Sequence, residues 1–459
     1  MGPSTHPKMK KDIRLHHATT MVVGTIIGAS IFVQASEIAV PVPSLTGAAL
    51  VWLVAGILTF FGALVAAELA STFTESGGVY VYLREAFSPL VGFLWGWAMF
   101  WTMHTGIIAA IAMVFARYLA YFLPLGDTGM RGAAVAAILF LSWVNYLGVK
   151  QGSNLQAFFT AAKVLAIVLM IGVGFALGAP AESGTAVAAV TDTATVTLQD
   201  TTATGLLGGA SFQDFLIALV AGLFAFGGWH MVTYSSEETN DPRRTIPRAL
   251  MLGVLVVTAC YIALNGVYFY LLPLETVINS DRVAADAADA VVGHGGIFMS
   301  ALVVFSTFGA ISGIILAGPR VYFAMARDGL LFRWVGALHP TRRVPHRAIW
   351  LQGIWACILV LTGTYRALFT RVVYTEWIFF GLMAVALFIF RRRQEPKRDY
   401  SVWGYPLVPA VFAISAFAIV INQVISDPTE SAFGLGFVLL GVPVYFGWAR
   451  KGYVKEKTG

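Results

Sequence analysis

Two glycine-rich stretches in the chain carry residue types suited to holding a small zwitterion. The first is Val23-Gly24-Thr25-Ile26-Ile27-Gly28-Ala29-Ser30-Ile31-Phe32, and the second is Phe224-Ala225-Phe226-Gly227-Gly228-Trp229-His230. Each interrupts an apolar run. In lipid an unpaired backbone N–H or C=O costs several kcal/mol, so irregular backbone at membrane depth persists only where it lines a cavity or is buried in protein. Paired interruptions at corresponding places in two half-repeats point to a binding site near the bilayer midplane. Around Ile27, Gly28, Ala29 and Ser30 the freed N–H groups, next to the positive end of the following half-helix, suit an α-carboxylate. The bland reading of these small residues is close helix packing, the role expected of Gly92-xxx-Gly96 and Gly309-xxx-Gly313.

At the second stretch, Gly227 and Gly228 free the carbonyls around Phe224, Ala225 and Phe226 to accept hydrogen bonds from an ammonium group. Phe224 stands at the edge of such a site and suits a gate, against the ordinary reading of a ring packed on helices or lipid. His230 either faces the pocket or is hydrogen-bonded between helices. Lys163 lies inside an apolar run, where a cation costs at least about 2.5–3.5 kcal/mol and marks a functional position unless it snorkels to the interface. Glu68, towards the inner end of its run, and Glu376, at the outer start of another, read as structural carboxylates paired with Arg or wetted. The string Glu237-Glu238-Thr239-Asn240-Asp241-Pro242-Arg243-Arg244-Thr245-Ile246-Pro247-Arg248 combines an acidic pair suited to an inner charge latch with turn and helix-start residues.

The elements that position these residues are membrane helices. The 459 residues are 58% hydrophobic and 12% charged, with mean hydropathy +0.76, which a soluble core-and-shell protein of this size does not sustain. About twelve runs are long enough to cross roughly 30 Å of hydrocarbon. They are expected near 18–40, 46–70, 90–122, 132–148, 155–178, 212–235, 248–272, 297–325, 347–365, 372–391, 406–425 and 432–449. A net charge of +6 does not indicate nucleic acid here, because the cations cluster between spans. Of the 30 Lys and Arg residues, all but Arg117, Arg131, Lys163, Arg282, Arg366 and Arg371 fall in segments that share one side if the N-terminus is inside. The positive-inside rule then puts both termini in the cytoplasm, in a multi-pass inner (plasma) membrane protein.

Because five spans separate the two breaks, the sixth span crosses in the opposite sense to the first, as an inverted five-plus-five repeat requires. The expected organisation is a cytoplasmic segment at 1–17, a first repeat at 18–178, an outer flexible loop at 179–211 and a second repeat at 212–391. A linker with two further helices follows at 392–449, then a cytoplasmic tail at 450–459. The basic N-terminus lacks a signal-peptide pattern, so the first span is expected to stay in the mature protein. Cys260 and Cys357 fall within apolar spans, and no structural disulfide is expected. Without H-E-x-x-H, a phosphate loop or a Cys/His cluster, an enzyme or an ATP-driven pump is disfavoured and no cofactor or metal is expected.

The Gly24–Phe32 segment, the Phe-Ala-Phe-Gly-Gly-Trp run at 224–229, the string from Glu237 to Ala249 and Val402-Trp403-Gly404-Tyr405-Pro406 together resemble the L-type amino acid transporter family of the amino acid, polyamine and organocation superfamily. The resemblance spans Leu15 to about Trp448. It implies an all-α, LeuT-type fold of about twelve helices with helices one and six broken, and sodium-independent amino acid transport, often by exchange. By that likeness the substrate carboxylate meets backbone at Gly28, Ala29 and Ser30, the amino group meets carbonyls near Phe224 and Ala225, and Phe224 is the gate. Lys163 then matches a fifth-helix lysine standing where sodium-coupled relatives hold an ion.

Three departures from the family pattern stand out. Ser30 replaces a usual glycine, adding a hydroxyl and restricting φ. His230 stands where Asn is common in animal members. The loop at 124–131 holds no cysteine for a disulfide-linked heavy-chain partner, so none is expected. The leading expectation is an alternating-access exchanger of small neutral amino acids, neutral because the pocket shows no fixed charge. The alternatives are a proton-coupled symporter using Lys163 and, from another class, a non-transporting amino acid receptor.

Overall fold

The computed structural model describes residues 13–75, 77–147, 149–180, 206–332, 334–342, 344–393 and 399–449. The expected outer loop at 179–211 and both terminal segments lie almost wholly outside these. In chain order the helices are α1 (Leu15–Ile26), α2 (Gln34–Ala39), α3 (Leu45–Thr72), α4 (Val79–Ala86), α5 (Pro89–Ala98), α6 (His104–Leu119), α7 (Asp127–Leu147), α8 (Val149–Leu177) and α9 (Phe212–Ala225). They continue with α10 (Pro242–Leu271), α11 (Leu274–Asn279), α12 (Val283–Val291), α13 (Gly295–Arg327), α14 (His346–Thr362), α15 (Tyr365–Arg392), α16 (Leu407–Ser426) and α17 (Pro428–Val444). Ser30–Phe32 and Trp229–Glu238 are 3₁₀ stretches, and π-turns occupy Met99–Met103 and Tyr445–Ala449.

The fold is an all-α integral membrane bundle. Among the described residues, nine helical stretches are long and apolar enough to cross a bilayer, and α14 and residues Ala162–Leu177 of α8 are shorter apolar helices. The interrupted pair α1–α2 supplies one more crossing, so crossings one (α1, α2) and six (α9 and Trp229–Glu238) are both broken. Helices apolar on every side are the solution lipid allows, since each satisfies its backbone internally. Their association then depends on close packing and on polar contacts between helices. Thus α3 runs along α10, α1 lies on α10, α13 packs on α6, and α15 packs on α16. At Gly56 of α3 an added Cβ would come within 2.5 Å of Thr258 Cγ2 of α10, so the two helices approach as only glycine permits.

Several helix starts differ from the sequence expectation. Helix α15 begins at Tyr365, capped by Thr364, whose side chain accepts from the Ala367 N–H, seven residues before the expected 372. Arg366 and Arg371, which look like loop residues, are instead held in the helix by Glu37 and Glu430. Likewise α10 starts at Pro242 rather than 248, after Asp241 in the left-handed region at φ 44°.

One end of the bundle is tied by charge. Glu68, 1% exposed, accepts from Arg391 Nε at 2.8 Å and from the Val402 N–H at 2.7 Å, and Arg391 stacks 3.7 Å over the Tyr405 ring. The acidic pair after the second break reaches α13: Glu238 lies 3.4 Å from Arg320 and Glu237 3.8 Å from Arg327. Asp328, at the end of α13, holds Arg84 of α4 and accepts from the Tyr80 hydroxyl at 2.6 Å. Burial and the Asp328 charge together push the Tyr80 hydroxyl above the usual phenol range, so it stays protonated as the donor. Finally, Ile13, just before α1, pairs in parallel with Thr239. Its N–H donates to Glu238 O at 3.1 Å, and the Asn240 N–H donates to Ile13 O at 2.9 Å.

Candidate functional site

The two broken crossings meet in the bundle's centre and enclose a cavity. Its lining comprises Thr25, Ile26, Gly28 and Ser30 from the first break, Phe224, Gly227, Gly228 and Met231 from the second, Ile107 and Ile111 of α6, Ile314 of α13, and Val372, Val373 and Glu376 of α15. The space open to water is about 20 Å³, room for one or two water molecules at roughly 10–15 Å³ each. A molecule larger than water enters only when these walls part.

At the first break α1 stops at Ile26 and the chain resumes as a 3₁₀ turn at Ser30. Neither Gly28 nor Ser30 has positive φ, so the Ser30 hydroxyl imposes no backbone strain, contrary to the restriction expected of it. Among the described residues the Ala29 and Ser30 N–H groups donate to no backbone acceptor. The orphan carbonyls at the end of α1 are taken from outside. Lys163 Nζ donates to Gly24 O at 2.9 Å and to Ile27 O at 2.5 Å, and the Tyr261 hydroxyl of α10 donates to Ile26 O at 2.9 Å. Lys163 is 2% exposed, and its ammonium is engaged on the backbone of the break rather than snorkelling to the interface. A cation at the C-terminal end of a half-helix is also where the helix dipole favours one.

The second break is built by its own glycine. Gly228 sits at φ +91°, and an added Cβ would come within 3.0 Å of Thr25 O, so this residue both turns the chain and admits the first break alongside. The Gly227 N–H donates to Phe224 O at 3.0 Å, the Tyr261 hydroxyl reaches Ala225 O at 3.0 Å, and the Thr25 hydroxyl reaches Gly228 O at 3.2 Å. Phe224 and Ala225 carbonyls, expected to be free, are therefore occupied. The Phe226 carbonyl has no donor among the described hydrogen bonds. Tyr261 thus touches both breaks with one hydroxyl, which donates a single proton at a time.

The structure sorts the sequence candidates by rotation about the helix axes. Gly28, Ser30, Phe224 and Gly227 line the cavity, whereas the side chains of Ile27, Ala29, Ala225, Phe226 and His230 do not. Phe224 is 5% exposed and packs on the α15 rings Phe369 at 5.3 Å and Tyr365 at 6.4 Å. Phe226 turns away onto Tyr261 and Trp52. His230 is fully buried among Trp95, Trp229, Tyr234 and Phe380, with neither ring nitrogen hydrogen-bonded, so neither of its two expected placements holds. The 3₁₀ geometry accounts for this, because at three residues per turn Met231 shares the side of Gly228 while His230 points about 120° away.

Glu376 is the residue that sequence reasoning misplaced. Taken as the outer start of its span, it is the twelfth residue of α15, about 16 Å along the helix at 1.5 Å per residue. It is 3% exposed and lines the cavity. Its partners were expected to be Arg or water. Instead its Oε1 has no hydrogen-bond partner among the described residues. The available signal was a carboxylate four residues after Val372 in a stretch with helical periodicity, once Arg366 and Arg371 are admitted to the helix.

A profile of the amino acid permease family matches residues 13–444. The chain is 31% identical to the human b(0,+)-type amino acid transporter 1 over 465 residues, covering 98% of this chain and 92% of that protein. It is 31% identical to the serine/threonine exchanger SteT of Bacillus subtilis (strain 168), covering 96% and 98% of the two chains. With the mouse large neutral amino acids transporter small subunit 2 it shares 31% identity over 95% of this chain and 81% of that one. Two broken crossings around one buried cavity, in a chain matched almost end to end by such relatives, place this protein in the amino acid permease family, a family of transporters and not enzymes.

Proposed function

We propose that the chain carries amino acids across the membrane by sodium-independent exchange, with the cavity between the broken crossings as its substrate site. The observation that carries the reading is the pairing of free donors at one break with a free acceptor at the other. The Ser30 N–H, on the cavity wall, suits a carboxylate, and the Phe226 carbonyl, next to the lining residue Gly227, suits an ammonium. Phe224, sealed against Phe369 and Tyr365, is the gate that swings to admit substrate. Exchange is supported by the relative named a serine/threonine exchanger, 98% of whose length this chain covers.

Sodium independence rests on Lys163. Its ammonium already occupies the C-terminal carbonyls of the first half-helix, the type of group that coordinates a coupling ion in broken-helix transporters. A second cation 4 Å away would meet a repulsion of about 4 kcal/mol at an effective dielectric of 20. The distribution of Lys and Arg supports a cytoplasmic position for both termini. The chain needs no disulfide-linked partner, its two cysteines lying within α10 and α14.

The test is uptake of labelled amino acid into sodium-free proteoliposomes, with and without unlabelled amino acid inside. Uptake that needs internal substrate supports exchange. Accumulation in empty vesicles driven by an inward proton gradient replaces it with proton-coupled symport, and binding without flux replaces it with a receptor.

A further inference from the structure

Among the described residues, Glu376 is the only ionisable side chain in the cavity lining. The walls around it are apolar, formed by Ile107 and Ile111 of α6, Ile314 of α13, Val372 and Val373 of α15, and Met231. Two features leave the carboxyl free to meet a ligand. Lys163, the cation at the first break, is committed to the Gly24 and Ile27 carbonyls. The Glu376 Oε1 is buried without a donor, and the Tyr234 hydroxyl, within electrostatic range of that carboxyl, is also without a partner. The backbone groups at the two breaks suffice for the α-carboxylate and α-ammonium, so what remains for Glu376 to meet is the substrate's side chain.

Resting on the reading of this cavity as the amino acid site, we propose that Glu376 reads that side chain, selecting amino acids that end in a hydrogen-bond donor, a hydroxyl or an ammonium, over their apolar isosteres. A buried carboxyl carries an acceptor oxygen in either protonation state, and a buried acceptor left without a donor is penalised in full. A donor-bearing side chain satisfies it, whereas an apolar one leaves it orphaned in an aliphatic wall. Sites built to hydrogen-bond a substrate group reject the analogue that lacks it far more strongly than apolar pockets reject a missing methylene. The expected pocket without fixed charge thus contains an ionisable side chain, Glu376.

The experiment compares matched pairs of ligands: serine with alanine, threonine with valine, and lysine with norleucine. Each is measured as a competitor in exchange and, independently of flux, by ligand-induced thermal shift of the purified protein. At least one pair is expected to favour the donor-bearing member by tenfold or more, and the pair that does so separates hydroxyl from ammonium. In Glu376→Met, which keeps the bulk and removes the acceptor, that ratio falls to about one. In Glu376→Gln, which keeps an acceptor oxygen without charge, an ammonium preference collapses and a hydroxyl preference survives in part. No preference in the wild type overturns the proposal, as does an equal loss for both members of every pair, which would assign Glu376 to the α-ammonium or to a proton step. If Glu376→Met fails to fold, the Gln variant decides alone, because an unchanged ammonium preference or a proportionate loss across pairs refutes the reading. Pair preferences in the thermal shift without any flux would sink the transport reading and leave this one standing.

Discussion

The two breaks face each other across one cavity but are held open by different means. The second carries its own instruction: Gly228 adopts φ +91°, a conformation its neighbours in the sequence do not share. The first has no left-handed residue, and its freed carbonyls are satisfied by donors from α8 and α10, namely Lys163 and Tyr261. One irregularity is thus local and covalent, and the other is conditional on two distant side chains. A helix interruption with a local cause persists through rearrangement, whereas one held by a partner can be made or released as the partner moves. Lys163 therefore ties the shape of the first break to the position of α8.

The largest effect should come from removing that tie. Lys163→Ala leaves two buried carbonyls without their donor, at about 1–3 kcal/mol each, and opens a void where the stem lay. Exchange is expected to fall by about two orders of magnitude (~3 kcal/mol at 1.4 kcal/mol per tenfold), and measurable sodium dependence is expected in residual uptake because the fixed cation is gone. Normal exchange kinetics in this variant would dissolve the contrast between the breaks. Gly228→Ala should follow. A side chain in the left-handed region costs about 1–2 kcal/mol, and its Cβ meets Thr25 O. Reduced flux with a lowered melting temperature is expected, without any gain of sodium dependence, and that difference between the two variants is what the comparison demands.

Tyr261→Phe removes one hydroxyl that serves Ile26 O and Ala225 O, so it touches both breaks at once. A loss of about 1–2 kcal/mol is expected, read as a several-fold to roughly tenfold drop in exchange that adds to neither of the first two variants independently. Strict additivity in double variants with Lys163→Ala would show that the hydroxyl acts on the second break alone. The smallest effect belongs to Thr25→Val, whose hydroxyl contact with Gly228 O is long at 3.2 Å and competes with bonds to Met21 O and Val22 O of its own helix. Less than a threefold change in apparent KM is expected, and a tenfold change would promote Thr25 to a structural link between the breaks.

Much of the backbone plan is legible in the sequence. Gly28 and Gly227-Gly228 interrupt apolar runs, the spacing between them sets the parity of the crossings, and a lone lysine inside the fifth run draws attention to itself. What stays hidden is rotation. A helix that meets lipid on one face and protein on another is apolar on both, so no periodicity tells which side Glu376 or Phe226 occupies. Helix starts hide for a related reason, since Arg366 and Arg371 resemble loop cations until Glu37 and Glu430, distant in sequence, are seen to pair with them. His230 misleads because the backbone there is 3₁₀, which one tryptophan-histidine pair does not announce.

The short parallel pairing of Ile13 with Thr239 joins the chain just before α1 to the chain just after the Trp229–Glu238 stretch. Two broken crossings, each with its own hinge, would in general have two independent angular coordinates. Fastened together at their inner ends, they form a closed linkage in which turning one half-helix prescribes the turn of the other. Displacing one half-helix alone has to break these two backbone hydrogen bonds, at a net cost of about 1 kcal/mol each. Joint movement is thereby favoured over single displacement, with no ligand involved.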